Sequence, residues 1–595
     1  MSAMLETERR RFVFFLGLCC AMVAVKFLLL HDQRLIVSGD ARYDSRLFID
    51  LAHSISEGRW FGPYDERTLI KGPFYPLWIA AVHRLHVPLL TAQHGLYLAG
   101  CGAAAYALAR PLGPWGAFFL FTALGFHPTS YALHTRMVMR EYVSTSLALL
   151  VTALTLLLFQ DGAETRCRGL RALGLGLCLG AFWLTREEAL WILPLYGAAA
   201  LHFMLRRLGR PHHRTRHLIK NTAWTLVPLA LAAACVTVVA HIHQAHYGIA
   251  ETVELKSRFF RDAYGALTRV EPQVRKPAVP VPRDVRERLY AVSSSFRELR
   301  PFLERGDSVW ICTVHHLKLL YEAKALDDAA RKGIDFVLEN DVSGVWRGIW
   351  NEAGTEPCDF YGPWFVWAFR EAAAAAGHHQ SALAAKAYYE KLSREIHAAC
   401  DRKELACGPA RSSLAPPRQW AFARPWLAMF ARIGHLAVSF KGFQIDGAVS
   451  TGNADAIALF QAMTREEIMP PEMVPSMQPE SLRLGILVRT AALYGAVFPW
   501  VFYAAIVVHF GLSFFKSALL DPFWGFATAV LASCAALAAL LAYVHVTSFP
   551  GIEPRYLAPL PPLCILYVAL VFLCTVKWTR ARNLDNELDP LGSSC

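Results

Sequence analysis

RRRFVFFLGLCCAMVAVKFLLL, residues 9–30, joins three arginines to a mostly apolar run long enough to cross ~30 Å of hydrocarbon as a helix. The basic flank matches a signal peptide. The apolar stretch exceeds a typical h-region, however, and no small-x-small site follows it, so it is expected to remain as an anchor. Runs of the same kind begin near Phe12, Ala92, Trp115, Tyr142, Leu170, Ala189, Ala223, Ala491, Phe523 and Leu557, giving ten expected spans. Apolar residues make up 54% of the 595 positions and the mean hydropathy is positive. The chain therefore reads as an all-α polytopic membrane protein.

The net charge of +12 would suggest nucleic acid in a soluble protein, but here it follows topology. Arg9, Arg10 and Arg11 precede the first span, and Arg166, Arg168 and Arg171 follow the fourth. Arg206, Arg207, Arg210, Arg214, Arg216 and Lys220 follow the sixth, and Lys577, Arg580 and Arg582 follow the last. Ten spans put all four clusters on one side, which the positive-inside rule makes cytoplasmic. The run around His212 and His213 belongs to the same signal, and no nucleic-acid partner is expected. An eleventh span over residues 73–90 would reverse every later loop, so that segment is expected to lie along the outer interface as a short helix.

This topology divides the chain into an N-terminal membrane module (1–243) with an outer loop at 31–72, a large extracytoplasmic domain (244–488), a C-terminal membrane module (489–580) and a cytoplasmic tail (581–595). The large domain opens with EPQVRKPAVPVPR, carries a long helical pattern from about Trp364 to Ala399, and has further Pro-rich stretches near Pro416 and Pro470. It is expected to be mostly helical. Of fourteen cysteines only Cys312, Cys358, Cys400 and Cys407 fall outside the membrane and cytoplasm. An even number with no CxxC spacing favours two disulfides over a metal site, with Cys400–Cys407 stapling the end of the long helix.

The most informative stretch is the first outer loop, SGDARYDSRLFIDLAHSISEGRWFGPYDERTLIKGPFYPLWIA (38–80). It places Asp40, Asp44 and Asp50 near the exit of the first span, then a turn at Gly58, then Lys71-Gly72-Pro73. Trp60, Phe61, Tyr64, Phe74, Tyr75 and Trp78 are expected to form an aromatic belt at the headgroup level. The acids and Lys71 would then lie where a lipid phosphate meets a water-soluble acceptor.

Asp44, the helix LFIDLAHSISEG, Arg59-Trp60 and Lys71-Gly72-Pro73 together resemble the GT-C superfamily of membrane glycosyltransferases that use polyprenyl-phosphate sugars. The resemblance covers the membrane part and is closest to the branch of protein O-mannosyltransferases and lipid A aminoarabinose transferases. It implies a GT-C-like bundle in a bacterial inner membrane, with Asp44 at the essential carboxylate and Asp40 as runner-up. Ser45 stands where many members carry a second acid, so no role is given to a carboxylate pair. The second outer loop, HPTSYALHTRMVMREYVST (127–145), places Glu141 where members often carry an acid, flanked by Arg136 and Arg140. Arg555-Tyr556 matches a recurring pair at the outer end of a late span.

Three charges together at Arg186-Glu187-Glu188 between two apolar runs would be costly at mid-membrane, by on the order of 8–10 kcal/mol unpaired, so they are interfacial, paired or lining a wet cavity. Arg186 and Arg555 are phosphate-ligand candidates because a guanidinium presents a fork matched to phosphate oxygens. Glu187, Glu188, Arg140 and Tyr556 are further site candidates. His241, His243 and His246 have i, i+2, i+5 spacing, which does not converge readily on a metal. No Gly-rich phosphate loop, dinucleotide fingerprint or nucleophile elbow is present, and no Asp-x-Asp sugar-nucleotide motif lies in a soluble domain.

The expected activity is glycosyl transfer from a polyprenyl-phosphate-linked sugar to a glycan, lipid or protein acceptor on the outer face. Asp44 would act as base and Lys71 as the phosphate ligand, in an inverting single displacement. No cofactor is assigned from the sequence, and the resemblance allows a divalent metal, on which family members differ. The competing readings are a transporter or flippase of lipid-linked sugars and a non-catalytic envelope assembly factor.

Overall fold

The apolar runs form long helices, because in hydrocarbon every backbone polar group must be satisfied within its own segment. The computed structural model describes residues 2–160, 165–208, 215–305, 310–354, 358–415, 423–469 and 481–588. Arg210, His212, His213, Arg214, Pro416, Pro470 and the end of the expected tail (589–595) lie outside them. Among the described residues the fold is helical, with only isolated β-bridges between loops.

Among the described residues eight helices, not ten, are long and apolar enough to cross a membrane: Val13–Leu30, Glu141–Phe159, Cys167–Thr185, Ala189–Leu208, Thr222–Tyr247, Leu482–Leu512, Pro522–Thr547 and Pro554–Asn583. The runs expected from Ala92 and Trp115 instead form one broken element, α4 (Leu89–Phe126), which follows α1 (Ser2–Leu30), α2 (Ser45–Ser56) and α3 (Phe74–Arg84). Gly113, with φ of 71° between Pro111 and Pro114, turns α4 back on itself. The Tyr97 hydroxyl donates to the Leu124 carbonyl across the two limbs at 2.8 Å. The second limb, 114–126, is only about 20 Å long at 1.5 Å per residue. The hairpin still returns the chain to the side from which it came.

α5 (Glu141–Phe159) and Pro554–Asn583 run through the middle of the bundle, with 89% and 83% of their apolar windows buried, whereas α1 and Leu482–Leu512 present outward faces with only 11% buried. Trp500, Val507 and Phe510 on the last of these are exposed, as suits a lipid-facing helix. The hydroxyls inside α5 bond back to their own helix, Thr145 to the Glu141 carbonyl at 2.9 Å and Ser146 to that of Tyr142 at 2.8 Å. Lys26 of α1 is buried but donates to the Gly125 carbonyl at 2.7 Å and to the Ser130 hydroxyl at 3.0 Å.

Outside these helices, α2 lies between two apolar cores. Phe48, Ile49 and Ala52 pack with Tyr75 and Ile79 of α3 against the membrane bundle, whereas Leu47 and Leu51 join Phe260, Phe369 and Tyr389 of the segment between residues 248 and 481. A Schellman stop at Gly58 (φ 80°) ends α2, with Arg59 N–H on the Ser54 carbonyl and Gly58 N–H on that of Ile55. α3 has eleven residues and packs on α2, too short to be a span. The six aromatic residues expected as a belt are divided between the two cores. Phe61 is buried with Trp60 stacked on it, and the Tyr64 hydroxyl donates to Glu254 at 2.8 Å, all within the core of the segment between residues 248 and 481, whereas Tyr75 is buried against the membrane bundle.

Between residues 248 and 481 the chain forms short helices around Arg258–Thr268 and Ala382–Asp401. The long helix expected from Trp364 to Ala399 is two helices, Gly362–Ala375 and Ala382–Asp401, separated at Gly377 (φ 84°) and restarted by the Ser381 cap. Cys400 is bonded to Cys407 and Cys312 to Cys358. Glu254 and Arg370, both fully buried, pair at 2.9 Å, and Arg370 also donates to the Glu66 carbonyl. This layer is also fixed to the membrane bundle: the Trp346 indole donates to the His545 carbonyl at 2.8 Å, and Asp341 meets the His545 ring at 3.1 Å.

Candidate functional site

Asp44 occupies the N-cap of α2, where an aspartate ordinarily accepts from the N–H two or three residues on. Its carboxylate makes no such cap bond. It reaches instead to the Lys71 ammonium at 3.0 Å. Backbone bridges fix the approach: Leu35 pairs with Ile468, Ile36 with Met137 and Ser38 with Thr451, stitching the exit of α1 to the loop before α5 and to the chain near residue 460.

Lys71 is set by its neighbour. The Gly72 N–H donates to Glu187 at 3.1 Å, and a Cβ on Gly72 would stand 2.2 Å from the Leu184 carbonyl, so only glycine lets the 71–73 segment lie against the end of α6 (Thr165–Thr185). Glu187 is held in turn by Arg140 through two 2.6 Å contacts. Arg186 pairs with Glu141 at 2.7 Å and with Glu188. Arg555 pairs with Glu553 at 2.7 Å, and the guanidinium groups of Arg555 and Arg186 both lie over the Tyr556 ring, at 4.9 and 5.7 Å.

Nine of the ten catalytic, phosphate-binding and other site candidates thus meet in one network: Asp44, Lys71, Arg140, Glu141, Arg186, Glu187, Glu188, Arg555 and Tyr556. Asp40 does not join it. Its side chain is exposed and has no hydrogen bond or ion pair among the described residues. Arg136, expected beside Glu141, is turned away onto the carbonyls of Arg34 and Ile445.

The electrostatics follow from this pairing. Burial pushes the Asp44 carboxyl up, but Lys71, Arg555 and Arg140 outweigh it and hold the group below its ordinary value. Its side chain nevertheless keeps 44% of its exposure, while that of Lys71 keeps 11%, so solvent reaches Asp44. Burial opposes ionisation of Glu187 too, yet Arg140, Lys71 and Arg186 hold it well below the usual carboxylate range. His134, buried beside Glu141 and Arg555, is pushed down to about 4 mainly by burial and is neutral near pH 7.

Two contributors come from the segment between residues 248 and 481 and carry no local motif. Trp367 places its ring 5.2 Å from the Lys71 ammonium and stacks on Tyr43 at 4.8 Å; the Tyr43 hydroxyl and the Trp310 indole both donate to Glu371 at 2.7 Å. Lys256 lies over the Trp183 ring in the field of Glu187 and Glu188. No group of three or more metal-ligating side chains is present among the described residues. His243 packs against Trp60 and Phe61 with its Nδ1 on the Glu251 carbonyl, apart from His241, whose Nδ1 lies on its own helix at Thr237.

No family model and no curated protein sequence matches the chain. Among solved structures it is similar to ArnT from Cupriavidus metallidurans in the apo state, at 14% identity and a TM-score of 0.31, over 93% of this chain and 78% of that one. It is also similar to the same protein bound to undecaprenyl phosphate, at 15% identity and a TM-score of 0.28, over 92% and 76%. A likeness at that level fixes neither substrate nor chemistry for this chain.

Proposed function

We propose that this protein is a GT-C-type membrane glycosyltransferase that moves a sugar from a polyprenyl-phosphate donor to an acceptor on the outer face, where residues 244–488 form the extracytoplasmic domain. The observation that carries the reading is the Asp44–Lys71 pair at 3.0 Å, with Asp44 released from capping its helix and half-exposed beside the charged residues that follow α6. A general base, a buried cation and lipid-level access are what a direct displacement at an anomeric carbon requires.

Asp44 is the base for the acceptor hydroxyl, a role worth about 10²–10⁴-fold. Lys71 meets the leaving phosphate, with Arg186 and Arg555 in support, as preorganised charges that need little rearrangement at the moment of reaction. In the ligand-free arrangement Lys71 masks the base it sits beside. A donor phosphate that takes over the ammonium unmasks the carboxylate and raises its basicity, so donor binding precedes base activation. Attack in a single step inverts the anomeric configuration, and the acceptor proton passes to Asp44 as polyprenyl phosphate leaves.

Purified protein incubated with a panel of polyprenyl-phosphate sugars is expected to release polyprenyl phosphate, and Asp44→Asn to abolish the release. No release from any donor would defeat this reading and favour a transport or assembly role.

A further inference from the structure

Four cations at the site are already engaged by a carboxylate: Lys71 by Asp44, Arg140 by Glu187, Arg186 by Glu141 and Glu188, and Arg555 by Glu553. Any phosphate that binds there must draw a cation away from a partner. Lys256 differs. Its ammonium is half-buried and has no ion pair or hydrogen bond among the described residues, resting 5.4 Å from the centroid of the Trp183 ring near the end of α6.

Its position is set by the surrounding backbone. Lys256 closes a short 3-10 turn, Glu254–Lys256, whose first residue is tied on three sides. The Glu254 N–H donates to the Leu69 carbonyl at 2.7 Å, two residues before Lys71, and its carboxylate takes Arg370 at 2.9 Å and the Tyr64 hydroxyl at 2.8 Å. The next residue, Ser257, caps the following helix by accepting from the Phe260 N–H. A flexible side chain thus hangs from a rigid turn that runs beside the Lys-Gly-Pro segment.

We propose that Lys256 is a second phosphate-binding lysine, which closes on the phosphate of the lipid-linked substrate from the side opposite the membrane; this rests on the function proposed above. A polyprenyl phosphate enters at headgroup level, where Trp183 marks the end of α6, and Lys256 is the cation that receives it without breaking an ion pair. Burial lowers the ammonium's pKa, against the pull of Glu187 and Glu188, so an arriving anion stabilises its charged form. An ammonium offers point charge without fixed fork geometry, which suits a phosphate that must enter and leave.

The test is equilibrium binding of a short-chain polyprenyl phosphate and of the matching polyprenol to the full-length protein in detergent. Wild type is expected to prefer the phosphate. Lys256→Ala is expected to weaken phosphate binding about tenfold or more while leaving polyprenol binding unchanged, and Lys256→Arg to restore most of the preference. Lys256→Gln gives the same readout if the alanine variant does not fold. If Lys256→Ala discriminates as well as wild type while Lys71→Ala does not, this inference fails and the functional reading stands. If wild type shows no preference, the functional reading fails first. Equal loss of both ligands would make Lys256 a packing residue and overturn its role. Binding of inorganic phosphate alone that is lost in Lys256→Ala, with lipid phosphate binding unchanged in that variant, would assign the lysine to free phosphate and overturn the lipid assignment.

Discussion

The Lys71 ammonium and the Asp44 carboxylate stand 3.0 Å apart, although twenty-seven residues separate them in sequence. One side chain of that pair is largely buried and the other is reached by solvent. Replacing Asp44 by Asn keeps its shape and removes the base, so turnover should fall by about 10²-fold or more. Donor binding should hold or tighten, because Lys71 loses the carboxylate that competes with phosphate. Asp40→Asn, at an exposed side chain outside the network, should leave turnover near wild type. Single-turnover release of polyprenyl phosphate and donor KM, measured on both variants, check this; loss of turnover in Asp40→Asn with an active Asp44→Asn would move the base by four residues.

The same pair fixes a pH dependence. Lys71, Arg555 and Arg140 hold the Asp44 carboxyl below its ordinary value near 4 despite burial, so in the free enzyme the base stays ionised through neutral pH and is lost only as pH falls below that range. The acid limb of kcat/KM, which reports the free enzyme, should lie below about pH 4. With donor bound, phosphate takes Lys71 and the carboxyl rises, so the acid limb of kcat should lie at higher pH. Coincident limbs would show that donor does not unmask the base.

Much of this site was legible locally, and what was not depended on distance. Asp44 and Lys71 sit in one stretch between α1 and α3 whose helix and turn signals are strong, and the charges at 186–188 could not lie unpaired in hydrocarbon, so the residues announced themselves. Their partners did not: nothing near Glu187 in sequence names Arg140, and nothing near Lys71 names Trp367. The hairpin at Gly113 was read as two full spans because its second limb is apolar but short. The division at Gly377 was written in the Gly-His-His-Gln-Ser stretch, yet the alanines on both sides carried one helical pattern across it.

Gly72 tests how tightly that distant packing is set. A methyl group there would stand 2.2 Å from the Leu184 carbonyl and 3.0 Å from that of Thr185, both backbone atoms that cannot swing aside. Gly72→Ala should therefore displace the 71–73 segment, cost about 1–3 kcal/mol, and weaken the Glu187 contact together with the placement of Lys71. Thermal denaturation and donor KM should both worsen; an unchanged KM would mean that Lys71 does not depend on this contact.

The two disulfides should differ in weight because they close loops of different length. Cys312–Cys358 spans 46 residues and Cys400–Cys407 spans 7, so on chain entropy alone the first contributes about 4 kcal/mol and the second about 2.5 kcal/mol. Serine variants at Cys358 and Cys407, compared by denaturant unfolding of the full chain, should show the larger loss at Cys358. The opposite order would mean that local packing at the end of Ala382–Asp401 outweighs loop closure.

Lys71 and Arg186 should separate function from stability in opposite directions. Arg186 pairs with Glu141, whose side chain keeps only 6% of its exposure, so Arg186→Ala strands a buried carboxylate and should destabilise the protein by about 3–5 kcal/mol. Lys71 pairs with a carboxylate that solvent already reaches, so Lys71→Ala should destabilise by only about 1 kcal/mol or less. For donor binding the order reverses: Lys71→Ala removes the cation that meets phosphate directly, and donor KM should rise about tenfold or more, with kcat falling too if the contact strengthens toward the leaving group. Arg186→Gln, which keeps a hydrogen-bond donor to Glu141, should recover part of the lost stability. Thermal midpoints and donor KM measured on the same three variants decide the matter. If Lys71→Ala is the less stable protein and binds donor as wild type does, Lys71 is a structural partner of Asp44 and the phosphate lies elsewhere.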